Sequence, residues 1–153
     1  MNKEFEKIID QLPGLLKKLT TSDKKFRNNL KGVCEKGIYV FYENDKPIYV
    51  GRTNRMKHRI LEHGRKSSTH NSAPFAFSIA KKNAEESGIK INMGRKELEN
   101  NLEFVKMFFK AKERVSNMHV RVIEIDDQII QTIFEVYASL KLETEEFNDF
   151  GTH

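Results

Sequence analysis

Two short runs of β-forming residues, separated by five turn-forming residues, restrict most strongly how this chain can fold. Residues 38–42 are Ile-Tyr-Val-Phe-Tyr and residues 48–50 are Ile-Tyr-Val, so both runs are rich in β-branched and aromatic side chains. Residues 43–47, Glu-Asn-Asp-Lys-Pro, are typical of a turn. The pattern predicts a β-hairpin that ends at Gly51.

A helical pattern begins directly after the hairpin and covers about residues 54–63. Within it, Arg55, Arg59 and His63 are spaced four residues apart, so they should share one face of the helix. Two of the hairpin's tyrosines, Tyr39 and Tyr49, could therefore converge on one spot with an arginine and the histidine of this face.

This arrangement resembles the GIY-YIG nuclease family. The matching positions are Gly37-Ile38-Tyr39, Tyr49-Val50-Gly51, Arg59 and His63, with valine for isoleucine in the second tripeptide. Near the C-terminus, Glu135 in a predicted helix and Asn148 beyond it correspond to the family's metal-binding Glu and its following Asn. The resemblance covers about residues 36–150 and is weak between 66 and 117.

The resemblance implies an α+β fold in which a small three-stranded, mainly antiparallel sheet is flanked by helices. It implies a catalytic set made of Tyr39, Tyr49, Arg59, His63 and Glu135. It also implies that Gly37, Gly51 and Asn148 support the site.

The same resemblance implies a mechanism of phosphodiester hydrolysis. Glu135 would hold one divalent cation, Mg²⁺ or Mn²⁺, and Arg59 would pair with the scissile phosphate. Tyr39 or Tyr49 would orient the attacking water or accept its proton. A free tyrosine has a pKa of about 10, so this role needs help from a cation or a second proton acceptor such as His63.

Charge is consistent with a nucleic-acid partner. The chain has 153 residues and a formal net charge of +5. Six of its basic residues lie between positions 52 and 66, where Glu62 is the one acid. Besides Arg59, these residues are the predicted DNA contacts: Arg52, Arg55, Lys57, Arg65 and Lys66.

The residue pattern outside the hairpin predicts mostly helices and one further strand. The pattern of residues 3–19 is amphipathic, and Pro13-Gly14 should divide it into two short helices or kink it. Further helices are predicted over 73–86 and 96–115, with Gly88 ending the first. In the second helix the expected apolar side carries Leu98, Leu102, Val105, Phe108 and Phe109.

The C-terminal part predicts a strand at 118–125 and then a helix that ends near Leu142, with Asp126 or Asp127 as its cap. In this helix Gln131, Glu135 and Ser139 form a separate polar stripe. Periodicity alone would make that stripe solvated, and only the family resemblance makes Glu135 a metal ligand.

Length and composition favour a single domain over residues 1–153. We divide it into a helical N-terminal extension at 1–35 and a nuclease core at 36–150 with an insertion at about 88–115. One cysteine, Cys34, excludes an internal disulfide. No apolar run approaches a membrane span, and the N-terminus has no apolar signal segment, so a cytoplasmic protein is expected.

The sequence therefore predicts a metal-dependent endonuclease that acts on duplex DNA. One alternative is a nucleic-acid-binding module with a decayed nuclease site, although every catalytic residue type is present. The other is a structural or interaction protein, which would leave the basic segment at 52–66 unexplained.

A shared tyrosine site sets a requirement on the hairpin, because side chains alternate strictly along a strand. A loop of two or four residues would pair Tyr39 with Val50 and turn Tyr49 to the opposite face. A loop of three or five residues pairs Tyr39 with Gly51 and places both tyrosines on one face. We therefore predict an odd loop, or a bulge that restores the alternation.

Overall fold

The computed structural model describes residues 2–89, 94–148 and 150. The chain divides into two compact units. Unit 1 comprises Met1–Lys57 and His119–His153, and unit 2 comprises His58–Met118. Segment 88–115 thus falls in unit 2, and its assignment as an insertion stays a prediction.

Unit 1 is built on a three-stranded antiparallel sheet with the strand order β2-β1-β3, which confirms the predicted fold class. The strands are β1 (Gly37–Glu43), β2 (Lys46–Thr53) and β3 (His119–Glu124). Helix α1 (Lys3–Thr20) precedes the sheet and helix α6 (Gln128–Leu142) follows β3. The side chain of Asp127, one of the two predicted caps, caps α6 by accepting hydrogen bonds from the backbone N–H groups of Ile129 and Ile130.

The hairpin of β1 and β2 satisfies the alternation requirement through a bulge. Its turn has only two residues, Asn44 and Asp45, and both have positive φ, as a type I′ turn requires. Phe41 pairs with Tyr49 while the next residue pairs with Pro47, so one residue of β2 is extra. Tyr39 consequently pairs with Gly51, and the two tyrosines lie on the same face of the sheet, as predicted.

The opposite face of the sheet forms the core of unit 1 together with α1 and α6. Side chains of all three strands meet there with side chains of both helices. The buried members of this cluster are Leu12, Leu19, Ile38, Val40, Tyr42, Val50, Ile123, Ile125, Phe134 and Ala138.

Helix α1 is continuous, and the predicted division at Pro13-Gly14 into two helices is wrong. Proline removes one backbone donor from the helix, but buried leucines lie on both sides of it, at Leu12 and Leu19. Because both halves pack on the same core, tertiary contacts hold the helix together across the proline.

Two glycines allow neighbouring groups to approach the backbone closely. A Cβ atom at Gly37 would lie 1.9 Å from the carbonyl oxygen of Ile123 in β3. A Cβ atom at Gly51 would lie 2.1 Å from Cζ and 2.2 Å from the hydroxyl oxygen of Tyr39. The glycine of the second tripeptide is therefore the surface on which the Tyr39 ring rests.

Unit 2 is helical. Helix α2 (Met56–Gly64) begins in unit 1 and continues into unit 2. The other helices of unit 2 are α3 (Pro74–Glu86), α4 (Arg95–Glu99) and α5 (Leu102–Ser116). Phe77 of α3 packs edge-to-face against Phe104 and Phe108 of α5, with ring centroids 5.2 and 5.4 Å apart. These aromatic contacts form the core of the unit.

The helix predicted over 96–115 is wrong in two respects. It is interrupted after Glu99, and Asn101 caps α5 by accepting a hydrogen bond from the N–H of Phe104. The predicted apolar side is also wrong in part: Leu98 and Phe108 are buried, but Leu102 is 79% exposed, and Val105 and Phe109 are exposed as well. The buried face of α5 carries Phe104, Phe108, Ala111 and Val115.

None of the helices in the described ranges combines the length and the apolar character needed to cross a bilayer.

We predict that Gly51→Ala destabilises the protein by about 1–3 kcal/mol, because the new methyl group overlaps the Tyr39 ring and forces a repacking. Gly14→Ala is the matched control, since a Cβ atom there would have nothing within 4 Å and alanine favours the helix. Urea unfolding should show a lower midpoint for the first variant and an equal or higher one for the second. Equal stability of the two variants would contradict the close approach of Tyr39.

Candidate active site

Tyr39 and Tyr49 share one face of the sheet but differ in exposure. Tyr39 is only 1% exposed, and its ring meets Phe41 edge-to-face with centroids 5.7 Å apart. Tyr49, opposite Phe41, is partly exposed. Water can therefore reach Tyr49 more readily than Tyr39.

The outer edge of β2 is satisfied by a side chain instead of a fourth strand. The amide of Asn148 accepts a hydrogen bond from the N–H of Val50 at 3.0 Å and donates one to its carbonyl at 2.7 Å. Asn148 is itself held by the Thr144 hydroxyl, which donates to its Oδ1 at 2.8 Å. Because that uses the one proton of Thr144, the Ser139 hydroxyl is the donor in the 2.8 Å contact between the two hydroxyls.

The polar stripe of α6 is not a solvated face, contrary to what its periodicity alone indicated. Gln131 is 1% exposed and Ser139 is fully buried. The Gln131 amide donates to the carbonyl of Ile125 at 2.6 Å and to Oδ1 of Asn54 at 3.3 Å. The stripe therefore packs against other parts of unit 1 and places Glu135, at its middle, beside β2.

Glu135 meets β2 at Arg52, the residue after the tyrosine-bearing tripeptide. Arg52 Nε lies 3.8 Å from Oε1 of the Glu135 carboxylate. The Glu135 side chain is 20% exposed. Burial raises the pKa of this carboxyl group, and the Arg52 charge, followed by the Arg52 backbone N–H, opposes the rise only in part.

A divalent cation fits Glu135 as a single protein anchor. Among the described residues no group of three or more His, Cys, Asp or Glu side chains could enclose a metal ion. Mg²⁺, however, is commonly held by one or two carboxylates, with waters and phosphate oxygens completing its shell. A poorly compensated, partly exposed carboxylate suits that form of binding, because a cation would offset the cost of its burial.

Arg59 lies in unit 2 and is held there more firmly than a residue on an exposed helix face would be. Its Nη1 donates to the Ser72 carbonyl at 3.0 Å and lies 3.6 Å from the Glu62 carboxylate. Its side chain is 21% exposed. These contacts of Arg59 could not be predicted from the spacing within its helix, because Ser72 lies in a different segment of the unit.

His63 is fully buried in unit 2, where its ring meets Phe75 edge-to-face with centroids 6.5 Å apart. Burial, and then the positive charge of Arg59, lower the pKa of the imidazole well below its ordinary value. His63 is therefore neutral at physiological pH, as a proton acceptor must be.

The remaining predicted site residues lie on the surface. Arg52, Arg55 and Lys57 are exposed in unit 1, and Arg65 and Lys66 are exposed in unit 2. Arg55 lies just before α2, which begins later than predicted, and its N–H donates to the Thr53 hydroxyl at 2.9 Å.

Comparison with family models identifies the family of the chain. The model of the GIY-YIG catalytic domain matches residues 35–132, which is more than half of the chain. The chain belongs to the GIY-YIG family. A search of curated proteins and a search of solved structures gave no match.

The GIY-YIG match covers both tripeptides, Arg59 and His63, and it ends before Glu135 and Asn148. The structure brings Tyr39, Tyr49, Glu135 and Asn148 together on or beside β2 in unit 1. It places Arg59 and His63 in unit 2, and their participation in a common site stays a prediction.

Several residues that hold α6 and Asn148 against β2 were not predicted from the sequence. Gln131 and Ser139 were noticed as a stripe but interpreted as solvated, and Thr144 was not singled out. The spacing of four residues in Gln131, Glu135 and Ser139 shows only that these side chains share one face of the helix. The burial of that face depends on partners outside the helix, which the spacing does not reveal.

We predict that Asn148→Asp destabilises the GIY-YIG fold by about 1–3 kcal/mol. A carboxylate can accept from the Val50 N–H but cannot donate to its carbonyl, which stays buried without a donor. Asn101→Asp is the same chemical change at a helix cap, where Asp serves as well as Asn. Urea unfolding should separate the two variants, and equal midpoints would show that the bridge to Val50 contributes little.

We also predict that His63 makes the protein less stable in acid. The unfolded histidine binds a proton below about pH 6.5 while the buried one resists it, so this contribution is full above that pH and is lost below it. His63→Gln, which cannot titrate, should lose less stability than wild type between pH 7.5 and 5.5. The pKa of His119 is also lowered, first by burial, so a residual slope should remain. An unchanged slope in His63→Gln would contradict a neutral buried imidazole.

Proposed function

We propose that this GIY-YIG nuclease is an endonuclease that hydrolyses phosphodiester bonds of duplex DNA with a divalent metal ion, Mg²⁺ or Mn²⁺. The observation that carries the proposal is Glu135, a largely buried carboxylate held at the edge of the strand that bears Tyr49 and Gly51. A carboxylate whose pKa is raised by burial, beside a motif for phosphoryl chemistry, is a functional-site candidate.

Glu135 would hold the metal ion through its carboxylate. When bound, the ion supplies Lewis-acid stabilisation of the phosphate and of the leaving oxygen. Arg52 lies beside the carboxylate, and the long 3.8 Å separation from its guanidinium leaves the ion pair weak. The carboxylate thus lies beside the strand without being neutralised by it.

The tyrosines would act on the attacking water. Because Tyr49 is partly exposed and Tyr39 is 1% exposed, we assign contact with the water to Tyr49. Tyr39, whose ring packs on Gly51, would position strand β2 and with it Tyr49.

Arg59 would pair with the scissile phosphate, and His63 would serve as a neutral proton acceptor. Both contacts that fix Arg59 involve Nη1, and a guanidinium has five N–H donors. It therefore has donors to offer a phosphate in a fixed orientation, which is the arrangement that stabilises developing charge.

DNA as the substrate is supported by charge. The net charge of +5 and the exposed side chains of Arg52, Arg55, Lys57, Arg65 and Lys66 suit a polyanion. Phosphate contacts of this kind position a duplex and do not read its sequence.

We predict that Glu135→Gln lowers plasmid cleavage in Mg²⁺ on the order of 10³-fold or more, because a Lewis-acid contribution of several kcal/mol is lost. Duplex binding should persist or tighten, since a negative charge has been removed. Glu145→Gln is the control, because it makes the same chemical change at an exposed position after α6. Normal cutting by Glu135→Gln would refute the metal role, whereas wild type that binds but never cuts would favour a decayed site.

We further predict that Tyr49→Phe lowers the single-turnover rate about 10²–10⁴-fold, the usual range for a lost proton-transfer group. Tyr39→Phe keeps the packing of the ring against Gly51 and should have the smaller effect. A larger loss of rate in Tyr39→Phe than in Tyr49→Phe would show that Tyr39, and not Tyr49, contacts the water.

A further inference from the structure

The outer face of α5 exposes an apolar stripe. Leu102 is 79% exposed, Val105 40% and Phe109 42%. Their spacing of three and four residues places them in one row along the helix, away from the buried row that includes Phe104 and Phe108. A contiguous exposed apolar patch is characteristic of an interaction site.

The charge of the chain is concentrated in the unit that carries this stripe. Unit 2 has 12 Lys and Arg against 7 Asp and Glu, a net charge of +5, whereas unit 1 has 15 of each and a net charge of zero. The partner of unit 2 should therefore be negatively charged.

Cations stand directly beside the stripe. Lys106 and Lys110 are exposed in the middle of α5, while the exposed acids Glu103 and Glu113 lie toward its two ends. Lys66 Nζ lies 5.6 Å from the centroid of the Phe109 ring.

A buried lysine holds Lys66 in that position. Lys112 Nζ donates to the carbonyl of Lys66 at 2.6 Å and to that of Ser68 at 2.9 Å. The same Nζ lies 4.2 Å from the centroid of the Phe108 ring. Because Lys112 belongs to α5, the loop that carries Lys66 is tied to the helix that carries Phe109.

We propose that the outer face of α5 binds single-stranded nucleic acid, with bases on Phe109, Val105 and Leu102 and phosphates on Lys66, Lys106 and Lys110. Alternating apolar and cationic groups suit a strand whose base faces are open. A duplex hides its base faces by stacking, so it would leave the apolar stripe without a partner. As a statement about substrate, the inference rests on the proposed function: it assigns to the nuclease DNA that contains an unpaired segment.

A second copy of the chain is the less suitable occupant. Two copies meeting at this face would bring together two units that each carry a net charge of +5. Nucleic acid, which is negatively charged, is attracted by the same positive charge.

The test is fluorescence anisotropy in EDTA, which prevents metal-dependent cleavage, with a 5′-labelled oligothymidylate of about 20 nucleotides and a hairpin duplex of the same length. Wild type should bind the single strand through Phe109, so Phe109→Ala should weaken that binding roughly tenfold or more. Leu102→Ser, at the most exposed position, should weaken it as well. Phe109→Tyr should bind as wild type does, because it keeps the ring. Phe5→Ala, at a 43% exposed phenylalanine of α1, is the matched control and should have no effect.

The lysines give an independent measurement. Replacing Lys106 and Lys110 together with Gln should reduce the slope of log K against log salt for the single strand by about 1.4, the value for two lost phosphate contacts. If the two lysines only stabilised the fold, their replacement would leave the salt slope unchanged, because the slope reports the number of phosphate contacts.

Three results would overturn the proposal: no binding of oligothymidylate by wild type, equal binding by Phe109→Ala, or a wild-type dimer in sedimentation that Phe109→Ala converts to monomer with its binding unchanged. The proposed function fails separately. Phe109-dependent binding without any cleavage in Mg²⁺ would refute the nuclease and keep this surface, whereas normal plasmid cleavage with Phe109-independent binding would refute only this surface.

Discussion

The hydrogen bonds between Asn148 and Val50 are the interaction on which the architecture of unit 1 depends. Strand β2 lies at the edge of the sheet, and an edge strand leaves backbone donors and acceptors open to unwanted pairing. The amide of Asn148 meets both groups of Val50, as a neighbouring strand would. This contact joins the segment after α6 to the strand that carries the second tripeptide.

The same edge explains why a carboxylate is placed where burial is unfavourable for it. The end of α6 is fixed to β2 by Ser139, Thr144 and Asn148. Glu135 lies one helical turn before Ser139, so it must face Arg52. Burial raises the pKa of Glu135, so its ionised form opposes folding above the pKa of an unfolded glutamate. A bound cation would reverse that penalty, which links the stability of this edge to the proposed chemistry.

The sequence allowed the hairpin and the ends of α6 to be predicted, because local rules govern both. Strict alternation along a strand required either an odd loop or a bulge once Tyr39 and Tyr49 were to share a face, and the structure has a bulge, at the Phe41/Tyr42 step. Asp127 marked the start of α6 through a cap that involves only its nearest neighbours.

The errors arose where contacts between distant parts of the chain determine helix continuity and side-chain burial. Helix α1 stays whole across Pro13 because both halves pack on one core, and periodicity could not show which of two apolar rows of α5 faces α3. Arg59 is fixed by Ser72, and Gln131 is buried against Ile125, through contacts that no spacing within one helix reveals. The family resemblance supplied Glu135 as a candidate, but its environment follows only from the fold.

The central claim, that Glu135 anchors a catalytic cation at the edge of β2, is tested most directly by paramagnetic broadening in a Mn²⁺ titration. Amide signals of the ¹⁵N-labelled protein would be followed for wild type and for Glu135→Gln. The account predicts broadening that begins at Gly51, Arg52 and Glu135 in wild type and is lost from those residues in the variant. Broadening that begins elsewhere, or that is the same in both proteins, would contradict it.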